Sequence, residues 1–242
     1  MRHIFAREFL GFLHSLVAWV VLVVFLIGIG LPSWIFPETS ILDYGYADLS
    51  TLFDTAPFLL LFLVPAITMR SFAEERRTGT LEFLLTRPVP VSHILLGKFL
   101  ACWALACVAL VPAWTYFYSV YQLGNPVGNI DASGFLGSWI GLVLLSGVFT
   151  SIGILSSVVT PNQVVSFLVS AAVGFLFYSG FDAVADLQVW GGSGWMVRYL
   201  GLYEHYESMG KGLIDSRDLV YFLSVTVMNL VVARSLMESR KW

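Results

Sequence analysis

Six long apolar segments alternate with polar ones along the 242 residues. An α-helix needs ~20 mostly apolar residues to cross a bilayer core. The pattern therefore predicts an all-α polytopic membrane protein with six transmembrane helices, at about 13–36, 56–70, 94–121, 135–159, 164–181 and 219–237. Pro32 and Pro37 end the first span, and Trp34 suits an interfacial belt. This run is too long for a signal-peptide core and is read as a retained span. The second span is short, starting near Pro57; Leu52 and Phe53 are available to lengthen it, and a kink is expected at Pro65. Ser92 is the expected cap of the third span and Pro112 its kink. TPNQ at 160–163 is the tightest connection and folds spans four and five into an antiparallel hairpin.

The polar segments differ in character. Residues 1–11, MRHIFAREFLG, set Ile4, Phe5, Phe9 and Leu10 against Arg2, Arg7 and Glu8. That suits either an N-terminal interfacial helix lying on membrane lipids or a water-exposed lead-in to the first span. Residues 37–55 carry Glu38, Asp43, Asp48 and Asp54 without Lys or Arg. The segment 182–218 mixes glycines and charges with Trp190, Trp195, Tyr199, Tyr203 and Tyr206, and is expected to lie on the membrane surface or dip into it. Asp215 or Ser216 is placed to cap the last span, with Asp218 favourable in its first turn.

The charged stretch Arg70–Lys98, RSFAEERRTGTLEFLLTRPVPVSHILLGK, stands out between spans two and three. Ser71-Phe-Ala-Glu74 reads as a capping box opening a helical turn that holds Glu74, Glu75, Arg76 and Arg77. Gly79 interrupts it, and Thr78 or Thr80 is placed to cap a second short helix. In that helix Leu81, Leu84 and Leu85 share a face and Glu82 points elsewhere. Arg87 before Pro88 ends it. The result is a bent elbow over 71–90 with one apolar and one charged side, or else an ordinary water-facing loop.

Charge sets the orientation. Arg2, Arg7, Arg70, Arg76, Arg77, Arg87, Lys98, Arg234, Arg240 and Lys241 fall on one side, against Arg198, Lys211 and Arg217 on the other. The positive-inside bias expects both termini and the elbow in the cytoplasm. Composition agrees with a single membrane domain over 1–242: 57% of residues are hydrophobic and 12% charged, about half the charge of a soluble domain. A net charge of −3 without a basic tract gives no reason to expect nucleic acid as a partner. Cys102 and Cys107 read as small packing residues.

What is missing narrows the function. No span centre carries an ionisable residue, His14 being at an edge, which argues against ion-coupled transport and against intramembrane hydrolysis. No metal cluster or other cofactor site is expected. The chain has no GxxxxGK[ST] phosphate loop; MGKG at 209–212 lacks the spacing. If ATP drives this protein, another chain binds it. Gly137 and Gly141 form a GxxxG in span four, suited either to packing within the bundle or to a dimer seam. Trp103, Trp114, Trp139 and Phe175 suit a pathway lining or plain packing.

EERRTGTLEFLLTRPVPVSHILLGK at 74–98 resembles the signature of ABC transporter permeases of the type-2 exporter family. ETSILDYGYADL at 38–49, FLVPAITMRSFAEE at 62–75 and YESMGKGLIDSRDLVYF at 206–222 are similar to the gliding-motility-associated (GldF-like) permease subunits of that family. The helix start EERR departs from the family pattern, which has lysine there; arginine holds carboxylates in a more fixed geometry.

The resemblance implies a permease subunit without catalysis of its own, in a bacterial inner membrane, coupled to a separate ABC ATPase subunit and paired with a second permease subunit as a homo- or heterodimer. It implies that the elbow is the coupling helix. Glu74, Glu75, Arg76, Arg77, Thr78, Gly79, Thr80 and Glu82 would meet the ATPase, Leu81, Leu84 and Leu85 would anchor the elbow, and Gly79 and Pro88 would set its angles. Gly212, Asp215, Arg217 and Asp218 carry the outer-loop motif. Other expectations are a permease of another type-2 system, such as nitrous-oxide-reductase maturation, or a non-transporting scaffold that passes ATPase movement to an envelope machine.

Overall fold

The computed structural model describes residues 2–37, 39–45, 47–80, 90–187, 194–212 and 214–239. Every regular element among them is helical. Six helical segments are long and apolar enough to cross a membrane: Leu16–Trp34, Ser50–Arg77, Val91–Leu123, Ala132–Val159, Gln163–Ala185 and Ser216–Ser239. An amphipathic helix α1 (Arg2–Leu13) precedes the first of them, α2 (Leu16–Trp34), which Ser15 caps by accepting from the Val17 amide. A short helix α3 (Ile41–Tyr44) leads to α4 (Ser50–Thr68).

α4 starts well before Pro57, the expected boundary, because Leu52, Phe53, Ala56, Leu60, Leu61 and Val64 form a buried stripe at helical spacing. A proline inside a helix orphans the carbonyl four residues earlier. For Pro57 that carbonyl belongs to Phe53, and the Tyr206 hydroxyl donates to it at 2.8 Å. The lost backbone bond is thus replaced from another part of the chain.

After α5 (Ala73–Arg77) the third span is α6 (Val91–Leu110), broken at Pro112 as expected and continued by α7 (Ala113–Leu123). Ser92 does not cap α6; Pro90 occupies the cap position and Ser92 lies inside the helix. α8 (Ala132–Val159) follows, with Asp131 accepting from the Ser133 and Gly134 amides at its start. Asn162 then caps α9 (Gln163–Phe175). This span runs through a π-helical turn at Leu176–Gly180 into α10 (Phe181–Ala185). Two short helices, α11 (Gly194–Arg198) and α12 (Leu202–Gly210), precede α13 (Ser216–Ser239).

α8 is the hub: α4, α6, α9, α12 and α13 all pack against it, and it is the most buried span. Its small residues are spent inside the bundle. A Cβ on Gly137 would collide with the Met209 carbonyl of α12, and one on Gly141 would press on the Tyr206 ring. The GxxxG therefore seats α12 within this chain. α12 is docked on protein rather than spread on a surface: Leu202 and Met209 are fully buried. Between α8 and α13 the Asn229 amide donates to the Ser151 hydroxyl at 3.0 Å, the kind of polar link that holds spans together where no water competes. The Trp103 and Trp139 indoles donate to the carbonyls of Val143 and Leu110, and Trp114 packs edge-on against Phe135 and Trp139. Trp103 and Trp139 thus serve internal packing, while Trp114 keeps part of its ring exposed. α2, α9 and α13 leave broad apolar faces exposed, as spans in contact with lipid do.

Candidate functional site

α4 ends at Thr68, and the chain turns through Met69–Phe72 before α5 begins. This turn is organised by Lys98, in about the second turn of α6. The Lys98 ammonium lies 2.7 Å from Glu75 Oε1 in α5 and 3.4 Å from Glu8 Oε1 in α1. It also donates to the Ser71 carbonyl at 2.7 Å and stands 5.1 Å from the centre of the Phe72 ring. Its side chain is 4% exposed, against 20–21% for the two carboxylates. A buried ammonium is tolerated only with acceptors around it. Here one charge ties together α1, the turn before α5, α5 itself and the start of the third span. Ile4 sits against Gly97, one residue from Lys98, so α1 lies close along α6.

Burying the ammonium explains a correction. The expected capping box does not form: Phe72 holds the cap position without a side-chain bond, and the Ser71 hydroxyl contacts the Cys102 sulfur at 3.3 Å. Ser71 is drawn inward because its carbonyl serves Lys98, so its hydroxyl faces α6 instead of the α5 amides. Glu74, the expected reciprocal partner, is exposed, and Glu75 is the glutamate that turns in.

Arg76 fixes the other side of α5. Its guanidinium donates to the Val158 and Val159 carbonyls at 2.8 and 2.7 Å, at the C-terminal end of α8. A cation there satisfies carbonyls left open by the helix end and meets the negative end of its dipole. Gly79 follows with φ +71, a left-handed conformation that glycine adopts without a Cβ penalty, and it ends α5. The Thr78 and Thr80 hydroxyls donate back to the Glu74 and Glu75 carbonyls, at 2.9 and 3.3 Å, and also contact each other. They finish α5. Leu81, Glu82, Leu84, Leu85 and Pro88 lie outside the described residues.

The expected contact residues thus separate. Glu75 and Arg76 are engaged inside the chain, whereas Glu74 and Arg77 of α5, and Thr78, Gly79 and Thr80 after it, are exposed. Sequence reading missed Glu8 and the buried position of Lys98. The available signal was one lysine just inside an apolar span with acidic residues in both flanking amphipathic segments.

The residues expected in an outer loop lie at the other end of the bundle. Gly212 takes φ +78 beside Ser133 and Gly134. Asp215 accepts from the Arg217 amide at 2.9 Å, the expected cap, and Arg217 is exposed. Asp218 is buried, paired with His205 Nδ1 of α12 at 2.7 Å, while His205 Nε2 meets the Tyr199 carbonyl at 3.0 Å. Asp218 thus anchors α12 to the last span.

Fold and junction together define a polytopic helical membrane subunit with a braced, charged turn between its second and third spans. A family model described as ABC-2 family transporter protein matches residues 2–189, and the chain belongs to that family. It is a transmembrane permease subunit of an ABC transporter, a class whose general partner is an ABC ATPase and whose membrane subunit is generally not itself catalytic. The comparison with curated proteins gives no match.

Proposed function

We propose that this permease receives the movement of a separate ATPase subunit on the outer side of the elbow 71–90. It passes that movement into the membrane as one rigid body made of α1, α5 and the start of α6. The Lys98 junction carries this reading. A buried ammonium shared by Glu75, Glu8 and the Ser71 carbonyl makes these elements move together. Arg76 extends the connection to the end of α8, the hub helix.

In this reading both termini and the elbow face the cytoplasm, the membrane is a bacterial inner membrane, and two permease subunits complete the pathway. The similarity of 38–49, 62–75 and 206–222 to gliding-motility permeases supports a role of that kind.

The decisive test uses the exposed positions. Glu75→Arg would put a second cation against Lys98, so its failure would report folding and not docking. Glu74→Arg and Arg77→Glu leave the junction intact. Each is expected to abolish co-purification with the ATPase subunit and permease-dependent ATP turnover, while the permease elutes and unfolds as wild type. Unchanged co-purification and turnover in both would overturn the docking assignment.

A further inference from the structure

At the end of the bundle away from α5, a recess of about 250 Å³ opens between the start of α4, the start of α8 and α12. Four carboxylates line it, Asp48, Asp54, Asp131 and Glu207, against one ammonium, that of Lys211. Most of these charges have other duties. Asp131 Oδ1 holds the first turn of α8, Asp48 Oδ1 accepts from the Ser50 amide at 3.1 Å, and Glu207 pairs with Lys211 at 3.2 Å. Asp54 has no hydrogen-bond or ion-pair partner among the described residues. The side chains of Phe135, Tyr203 and Tyr206 give the recess aromatic walls.

An acidic cluster alone would mean little, but Ser138 adds an independent observation. It lies almost two turns into α8, lines this recess and is 6% exposed. Among the described residues its hydroxyl has no hydrogen-bond partner, although Ser146, Ser151, Ser156 and Ser157 of the same helix all donate to backbone carbonyls of preceding residues. The residue is buried as a whole, but its hydroxyl is not sealed from the recess, so it is free to bond a guest there. No group of three His, Cys, Asp or Glu among the described residues is arranged to hold a metal ion. The volume is below that of pockets for drug-sized ligands, roughly 300 Å³ and more.

We propose that the recess binds the ammonium head of a small organic amine. Its N–H groups donate to the Asp54 carboxylate and the Ser138 hydroxyl, and the Tyr203 ring in the wall favours a cation near its face. The site goes beyond the coupling role and does not depend on it, since binding here needs no ATPase.

The test is calorimetric titration of the full chain in phosphatidylglycerol nanodiscs with ethylammonium chloride, at ionic strength matched by sodium chloride. Wild type should bind saturably and prefer ethylammonium to tetramethylammonium, which has no N–H group. Asp54→Asn should weaken binding about tenfold, the loss of a charged hydrogen bond. Ser138→Ala should narrow the preference between the two cations, since Asp54 alone is left to accept an N–H. Ser138→Leu fills the recess without altering a charge and should abolish binding. Glu238→Gln, in the last turns of α13, should bind as wild type. Discs containing phosphatidylethanolamine distinguish the source of the amine: competition by the lipid lowers the apparent affinity, whereas a free amine binds equally in both. No saturable heat with wild type, or equal binding by wild type and Asp54→Asn with matching elution profiles, overturns the proposal.

Discussion

Lys98 shows how much one buried charge organises. Removing Glu75 leaves an ammonium that is 4% exposed with the longer contact to Glu8, a backbone carbonyl and the Phe72 ring. Breaking a buried pair from one side typically costs ~3–5 kcal/mol, while replacing both partners by apolar residues of similar size is often neutral. Glu75→Ala is therefore expected to destabilise the purified permease by about 3 kcal/mol in denaturant unfolding. Glu74→Ala, on the exposed side, should change it by less than about 0.5 kcal/mol. The double change Glu75→Leu with Lys98→Met should recover most of the loss, and a cycle showing simple additivity would refute the coupling. The charged composition of 70–98 was legible in the sequence, but which glutamate faces inward was not. Local spacing favoured Glu74 through a capping box worth about 1 kcal/mol. A distant lysine needing acceptors in an apolar span outweighed it, and that need appears only once α1 and α6 are packed together.

Helices repeat the same division. Six spans follow from hydropathy because lipid demands long apolar runs, and the breaks at Gly79 and Pro112 follow from backbone chemistry. The docking of α12 does not, because LYEHYESMG is too polar to announce a buried helix and its apolar side is completed only by the glycines of α8. Gly137→Val should push α12 off α8 and break the Tyr206–Phe53 hydrogen bond. The expected readout is faster hydrogen exchange over 202–210 with the α8 amides still protected; unchanged exchange would refute the fit. The start of α8 gives a pH dependence with a definite sign. Asp131 is held below its usual value by the hydrogen bond from the Ser133 hydroxyl, then by the Gly134 and Ser133 amides, with slight burial opposing. A depressed folded value means stability that is fully present above the ordinary 3.8 and is lost as pH falls below it. Asp131→Asn should keep the cap and lose this acid sensitivity, whereas Asp131→Ala should lose about 1 kcal/mol at neutral pH. Both are read from unfolding midpoints across pH.

For the whole molecule, the proposed coupling requires α1 and α6 to stay together while the elbow is pushed. A covalent link between them distinguishes this from a mechanism in which α1 swings away. Gly97 and Ile4 provide the site, since a Cβ built on Gly97 stands 3.1 Å from the Ile4 Cβ. Disulfides span Cβ separations of ~3.5–4.5 Å, so a small shift suffices. The native Cys102 is buried in α6, and Cys107 lies farther along the same helix, so neither competes readily for the new pair. Ile4→Cys with Gly97→Cys should cross-link on mild oxidation, seen as a thiol count that falls by two. The oxidised permease, assembled with its ATPase subunit, should keep permease-dependent ATP turnover within about twofold of the reduced form, because a link inside a rigid body costs no motion. If oxidation stops turnover and reduction restores it, α1 must separate from α6 during the cycle. The Lys98 junction would then be a latch that opens, and the rigid-body account of the elbow would be wrong even with the ATPase docked where proposed.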